Sequence, residues 1–214
     1  MSPSTVALVP LRAPGAGKTR LSVALSAEQR GALAGAMLAD VCRALSEAPV
    51  DDLVVVAGGE AAAAAASALG LEVLLDAPGV TGLDAAIRAA QHRLGPVPAL
   101  LVVTADLPRL QADDVATLLD QDAEVVVAPT DDGGTGGLLR RPGDAIDTAY
   151  GPNSARRHAA EARRRGRSLA TVHTAGFATD VDTLADLTAL STGPVGATTA
   201  ALLATWSDRD ADAG

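Results

Sequence analysis

Four stretches of this chain, residues 6–11, 53–57, 100–104 and 124–128, are apolar almost throughout instead of at every second position. A strand wetted on one face alternates. A strand covered on both faces does not, which is the mark of a parallel sheet buried between helices. The intervening sequence agrees. Leu33, Met37, Leu38, Val41 and Leu45 recur at helical spacing between the first two runs, and Leu83, Ile87, Ala90 and Leu94 between the second and third. Ser26-Ala27-Glu28-Gln29 reads as a capping box opening the first of these helices, which runs to about residue 47. Further helices are expected over residues 60–69, 83–94, 112–119, 152–166 and 182–190, with short strands at 73–75 and 171–173 and a Gly-rich turn running into a strand over 133–140. Strand alternating with helix predicts an α/β fold, a mostly parallel sheet with helices on both faces. Neither a linker nor a repeat divides it. The expectation is a single domain over residues 1–206, followed by a flexible acidic tail at 207–214.

The 214 residues suffice for one full core, and with one Trp, one Tyr and one Phe that core has to be aliphatic. The net charge of −9 opposes nonspecific nucleic-acid binding, which needs a basic face. It also requires any phosphate site to be locally basic or metal-assisted. The single cysteine, Cys42, lies in an apolar helical pattern and reads as a core thiol; alone, it excludes a disulfide framework or a thiolate zinc site. The first residues show no charged-then-apolar leader pattern, and no run approaches the roughly 18 apolar residues of a spanning helix. A cytoplasmic protein without nucleic-acid or membrane partners is expected.

In such sheets ligands bind beyond the carboxyl ends of strands, where strand order switches. The polar segments that stand out all follow predicted strands. The first is Arg12 to Arg20, a glycine-bearing loop whose backbone amides can approach phosphates and whose Lys18 and Arg20 can bind their oxygens. Gly17-Lys18-Thr19 suggests a Walker A loop, but that motif needs a small residue five positions before its second glycine, and here Arg12 occupies it. Asp106 follows the third apolar run directly, well placed for a divalent cation or for capping a turn. Asp180 and Asp182 flank Val181, so an extended backbone turns both carboxylates to one side; Asp182 or Thr183 also reads as the cap of the helix that follows, and capping and metal binding are compatible for the pair. Asp131-Asp132-Gly133-Gly134-Thr135-Gly136-Gly137 allows close backbone approach to an anion and supplies a hydroxyl, beyond what a plain hairpin turn explains. Tyr150-Gly151-Pro152-Asn153-Ser154 opens a basic helix bearing Arg156, Arg157 and His158, and a helix start with Ser and Arg nearby is an anion site in its own right. His92 and His173 lack partners in the pattern.

Val9-Pro10-Leu11-Arg12, Gly17-Lys18-Thr19-Arg20-Leu21-Ser22, Thr104-Ala105-Asp106-Leu107-Pro108, Gly133-Gly134-Thr135, Tyr150-Gly151-Pro152-Asn153-Ser154-Ala155-Arg156-Arg157-His158 and Asp180-Val181-Asp182-Thr183 occur in the order found in another group of proteins. Over about residues 5–190 the chain resembles the 2-phospholactate/phosphoenolpyruvate guanylyltransferases of coenzyme F-420 biosynthesis. The resemblance implies a Rossmann-like nucleotidyltransferase domain, GT-A-like in architecture. It implies GTP as donor, facing Pro10, Leu11, Arg12, Lys18, Arg20, Leu83 and Asp84, with Lys18, Arg20 and Asp106 as the catalytic set. Mg²⁺ would be held by Asp106, Asp180 and Asp182. The partner of GTP would be a small phosphorylated carboxylic acid, gripped by Thr135, Gly151, Ser154, Arg157 and His158. Three positions depart from the usual pattern: Asp84 replaces an Asn, Arg12 a Lys, and Gly136-Gly137 a small polar pair that would otherwise tighten the site.

The expected reaction is in-line attack of an acceptor phosphate oxygen on the α-phosphorus of GTP, with release of pyrophosphate. A phosphate acceptor is already ionised at neutral pH, so a general base is not required. The Ala- and Arg-rich composition suggests a high-GC bacterial source, for which the resemblance implies phosphoenolpyruvate as acceptor ahead of 2-phospho-L-lactate and 3-phosphoglycerate. Two other readings remain: a molybdopterin- or sugar-phosphate-type nucleotidyltransferase of the same fold, and a non-catalytic nucleotide-binding protein. The sequence leaves a homodimer open.

Overall fold

The computed structural model describes residues 4–11, 19–76 and 79–212. Arg12, Gly17 and Lys18 lie outside the described residues. Seven strands form one sheet: β1 (Thr5–Leu11), β2 (Asp52–Ala57), β3 (Glu72–Leu75), β4 (Ala99–Val103), β5 (Val125–Pro129), β6 (Thr135–Arg140) and β7 (Leu169–Thr171), in the order β3-β2-β1-β4-β6-β5-β7. All neighbours are parallel except β6, which runs antiparallel to both β4 and β5.

The helices are α1 (Ala27–Glu47), α2 (Glu60–Ser67), α3 (Leu83–Leu94), α4 (Ala112–Leu119), α5 (Ser154–Arg164), α6 (Ala175–Ala178), α7 (Leu184–Ala189) and α8 (Ala197–Asp212). The apolar runs are buried on both faces, as their composition requires. Ala7, Val9, Leu101, Val103, Val126 and Ala128 pack in one layer with Leu38 and Val41 of α1, Ala62 of α2 and Val115 of α4. The alternate residues Val6, Leu8, Leu100 and Val102 pack against Ile87 of α3, and Val125 and Val127 against Ala162 of α5. Cys42 is in the first layer, where burial pushes its thiol up to about 12 and keeps it an inert core group.

Local signals behave as expected at several boundaries. Ser26 caps α1 in a full capping box with Gln29. α3 and α4 match their predicted bounds. Other expectations are corrected. Helix α5 begins at Ser154, so Pro152 lies ahead of its cap residue, Asn153, and not inside the first turn. β7 sits two residues earlier than predicted and pairs with β5 at the sheet edge. Of the two cap candidates for α7, Asp182 and Thr183, it is Thr183 that caps the helix, through a capping box with Asp186.

The larger correction is the C-terminus. The sequence reading gives residues 191–206 no element and ends the domain in an irregular tail at 207, whereas α8 continues to Asp212. It docks through Asp40, a fully buried carboxylate on α1 that accepts from the amides of Thr198 at 3.0 Å and Thr199 at 2.8 Å. An anionic oxygen there satisfies donors that the helix start leaves unpaired. Leu202, Leu203 and Trp206 of α8 then complete a small second core with Leu33 and Met37 of α1, Leu21 and Val181.

Candidate active site

Strand order reverses between β1 and β4, so the crevice beyond their carboxyl ends is the expected ligand position. The antiparallel course of β6 adds to that edge. Val103 pairs with Gly137, and the Thr104 amide donates to the Gly136 carbonyl at 3.0 Å. The start of β6, Thr135, therefore lies beside the end of β4, and Asp106 follows two residues after Thr104. A parallel strand would have carried Thr135 to the opposite edge.

The acidic segments meet here. The Val181 amide donates to the Asp106 carbonyl at 3.2 Å, and Val181 is fully buried among Leu21, Leu33 and Met37. Asp180 is raised to about 7 by burial first, then by the charges of Asp106, Asp132 and Asp182. Four carboxylates thus share one electrostatic neighbourhood. Asp132 is the member the sequence reading missed. Its Oδ1 accepts from Thr130 Oγ1 at 2.5 Å and from the Gly134 amide at 2.8 Å, and the signal was present in the acidic pair preceding the glycines. Among the described residues, no three carboxylates or imidazoles close into a cation cage. The donors nevertheless suit Mg²⁺, a hard cation that usually takes one or two carboxylates and completes its shell with water and substrate phosphate. Positive charge placed there would offset the burial and the neighbouring carboxylates that together raise Asp180.

A second cluster forms at the head of α5. Thr135, Ser154 and His158 are 4 %, 1 % and 0 % exposed. Thr135 Oγ1 lies 2.9 Å from Ser154 Oγ and 3.1 Å from His158 Nδ1. The Ala149 amide donates to His158 Nε2 at 2.8 Å, so the ring proton belongs on Nδ1 and points at Thr135. Burial pushes His158 down to about 4 and keeps it neutral, opposed by the charge of Asp84. Thr135 can then donate to Ser154, which leaves the Ser154 proton for a ligand at the helix start. His158, expected to touch the acceptor, instead has both nitrogens engaged and fixes the hydroxyls from below.

The loop ahead of α5 is pinned on three sides. Besides Ala149, the Tyr150 amide donates to Asp84 Oδ1 at 3.0 Å, and Arg157 Nη2 donates to the Tyr150 carbonyl at 2.9 Å. Tyr150 also packs edge-on against His158, ring centroids 5.0 Å apart. Gly151 follows at φ +114, with the Arg157 guanidinium across its open side. Asp84, assigned by resemblance to the nucleotide, has one oxygen spent on this loop. Leu83, beside it, packs against the core under α3. Pro10 and Leu11 end β1, and Arg20 is exposed in the short helical turn at Thr19–Val23.

Gly136 and Gly137 do not loosen the site. Both are buried in β6, and a Cβ on Gly137 would stand 2.7 Å from Phe177 Cε1, one on Gly136 2.7 Å from the Phe177 carbonyl. Their missing side chains admit Phe177 of α6, the one Phe of the chain, into the core.

Residues 5–203 match the family model described as guanylyl transferase CofC like. The chain belongs to that family. CofC-like relatives are similar along most of their length. The phosphoenolpyruvate guanylyltransferase of Roseiflexus castenholzii is 38 % identical over 188 residues, 88 % of each chain. The 2-phospho-L-lactate guanylyltransferase of Methanothermobacter thermautotrophicus is 36 % identical, covering 86 % of this chain and 82 % of its own. The 3-phospho-D-glycerate guanylyltransferase of Phenylobacterium zucineum is 35 % identical, covering 95 % and 97 %. Among solved structures, a putative nucleotide-diphospho-sugar transferase from Desulfovibrio desulfuricans G20 superposes with a TM-score of 0.76 at 20 % identity, over 98 % of this chain and 95 % of its own, a likeness of fold. No single helix among the described residues is long and apolar enough to cross a membrane.

Proposed function

We propose that this chain moves GMP from GTP to a small phosphorylated carboxylic acid in the cytoplasm, releasing pyrophosphate, as a step of coenzyme F-420 biosynthesis. The observation that carries the reading is the pairing of two unlike clusters on one sheet edge. Thr135, Ser154 and the start of α5 offer hydroxyl and amide donors to an anion, while Asp106, Asp180, Asp132 and Asp182 crowd negative charge beside them. An anionic acceptor and a cation-bound triphosphate are the two ligands such an edge can take together.

Asp106, Asp180 and Asp182 would hold Mg²⁺, which supplies charge neutralisation on the phosphates. Lys18 and Arg20 would bind triphosphate oxygens. Ser154 donates to the acceptor, and Arg157, leaning over Gly151, adds positive charge at its phosphate or carboxylate. The acceptor oxygen is then aligned on the α-phosphorus, a phosphate–phosphate bond forms, and the bond to pyrophosphate breaks. His158 remains neutral and takes no proton; its part is to orient Thr135 and Ser154.

Phosphoenolpyruvate is the favoured acceptor, supported by the name of the Roseiflexus relative. Incubation with GTP, Mg²⁺ and each of phosphoenolpyruvate, 2-phospho-L-lactate and 3-phosphoglycerate tests this. Fastest pyrophosphate release is expected with phosphoenolpyruvate. Release with none of the three, beside a working control enzyme, contradicts the assignment.

A further inference from the structure

The Tyr150–Gly151 loop is held largely by the helix it leads into. The Ala149 amide donates to His158, Arg157 donates to the Tyr150 carbonyl, and the Ser154 amide donates back to the Gly151 carbonyl at 3.0 Å. Such bonds shape the loop and the head of α5 as one piece without placing that piece against the rest of the site. Two ties to other elements lie to either side, from Arg140 Nη1 to the Ile146 carbonyl at 3.0 Å and from the Ala155 amide to the Gly133 carbonyl at 3.4 Å. Between them, the Tyr150 amide donates to Asp84 Oδ1 at 3.0 Å, across 66 residues of sequence.

Asp84 lies in the first turn of α3, whose cap residue, Gly82, has no side chain to accept from the leading amides. A carboxylate in that turn commonly serves its own helix. Asp84 reaches across to the acceptor loop instead. Its own position is rigid, because Ile87 and Ala90, one and two turns further on, are buried against β1 and β4. The ring of Tyr150 packs against the same layer. Burial sets the low value of His158, and the charge of Asp84 acts on it next, so the carboxylate stands close to the hydroxyl cluster. An anionic acid gains nothing from direct contact with a carboxylate. What Asp84 can give the acceptor passes through the Tyr150 amide.

We propose that Asp84 is a positioning residue for the acceptor: from the start of α3 it fixes the Tyr150 amide, and with it Gly151 and the Ser154 hydroxyl, where the phosphorylated acid meets them. This role rests on the acceptor assigned above to this edge. It gives Asp84 no part in reading the nucleotide. Alignment of the acceptor oxygen is sensitive to displacements of about 1 Å, so a loop anchored at one amide matters to binding.

Separate KM values for the two substrates test it. In Asp84→Ala the KM for phosphoenolpyruvate should rise about tenfold, the loss of one hydrogen bond to a charged acceptor, while the KM for GTP stays within about twofold. Asp84→Asn keeps an accepting oxygen and should recover most of the loss. General damage to the fold would raise both constants. By linkage, acceptor binding must in turn strengthen the anchoring bond. Hydrogen exchange at the Tyr150 amide of wild type is therefore expected to slow on addition of phosphoenolpyruvate and not of GTP with Mg²⁺, a readout that serves even if Asp84→Ala fails to fold. An unchanged acceptor KM in Asp84→Ala, a rise confined to GTP, no recovery in Asp84→Asn, or a Tyr150 amide unmoved by phosphoenolpyruvate overturns the proposal; pyrophosphate release by wild type leaves the reaction standing in each case. Phosphoenolpyruvate that protects Tyr150 without releasing pyrophosphate contradicts the reaction and supports the anchor.

Discussion

The amide of Val181 donates to the carbonyl of Asp106 at 3.2 Å, tying together two acidic segments that are far apart in sequence. Val181 is also fully buried in the second core, so the spacing between Asp106 and the Asp180–Asp182 pair depends on an apolar contact. Val181→Ala should cost about 2 kcal/mol through lost burial and the cavity left behind. It should also raise the Mg²⁺ concentration needed for half-maximal activity. Denaturant unfolding and a Mg²⁺ titration measure the two effects; a stability loss with an unchanged Mg²⁺ requirement would detach the packing from the carboxylates.

Because Thr183 caps α7, Asp182 is not needed to start that helix. Asp182→Asn is therefore expected to unfold within about 0.5 kcal/mol of wild type. Activity should fall on the order of a hundredfold or more, since a ligand to the cation is lost. Full activity in this variant would remove Asp182 from the metal set.

His158 sets an acid limit on stability. Its folded value of about 4 lies below the ordinary 6.5, so between these values the unfolded chain binds the extra proton. Its contribution is complete above pH 6.5 and declines toward pH 4, by about 1.4 kcal/mol per unit and on the order of 3 kcal/mol in all. Asp180 acts in the opposite direction: its raised value, about 7, adds stability as pH falls below neutrality. The difference between wild type and His158→Gln isolates the histidine. Urea midpoints at pH 7 and pH 5 should show a smaller loss in the variant; equal losses would place a charged histidine comfortably in the fold.

Gly137 and Phe177 form a size-matched pair. Gly137→Ala should destabilise by about 1–3 kcal/mol through overpacking, and Phe177→Leu should recover part of this in the double variant. Additive effects in thermal unfolding would show that the two side chains do not meet.

The central strands were legible because residues 6–11 and 100–104 are unbroken apolar runs, and α1 and α3 because Leu33–Leu45 and Leu83–Leu94 repeat at helical spacing. The antiparallel direction of β6 was not, since a short glycine-rich strand buried on both faces reads the same either way. α8 escaped because the groups that hold it, Asp40 and Met37, lie some 158 residues earlier than its first turn. At the candidate site, Asp106, Asp180, Thr135 and Ser154 stood out as polar residue types following strands, and the structure brings Asp106 near Asp180 and Thr135 against Ser154. The supporting part of His158 was not legible, because it depends on the Ala149 amide and on burial. Gly136-Gly137 misled the reading because the reason for small residues there is a phenylalanine forty positions away.

Phosphorus NMR of the reaction of GTP and Mg²⁺ with phosphoenolpyruvate tests the central claim most directly. Transfer predicts equimolar free pyrophosphate and a pair of coupled resonances from a new pyrophosphate linkage joining GMP to the acid. GDP with inorganic phosphate, or unreacted GTP in the presence of each candidate acid, would contradict it.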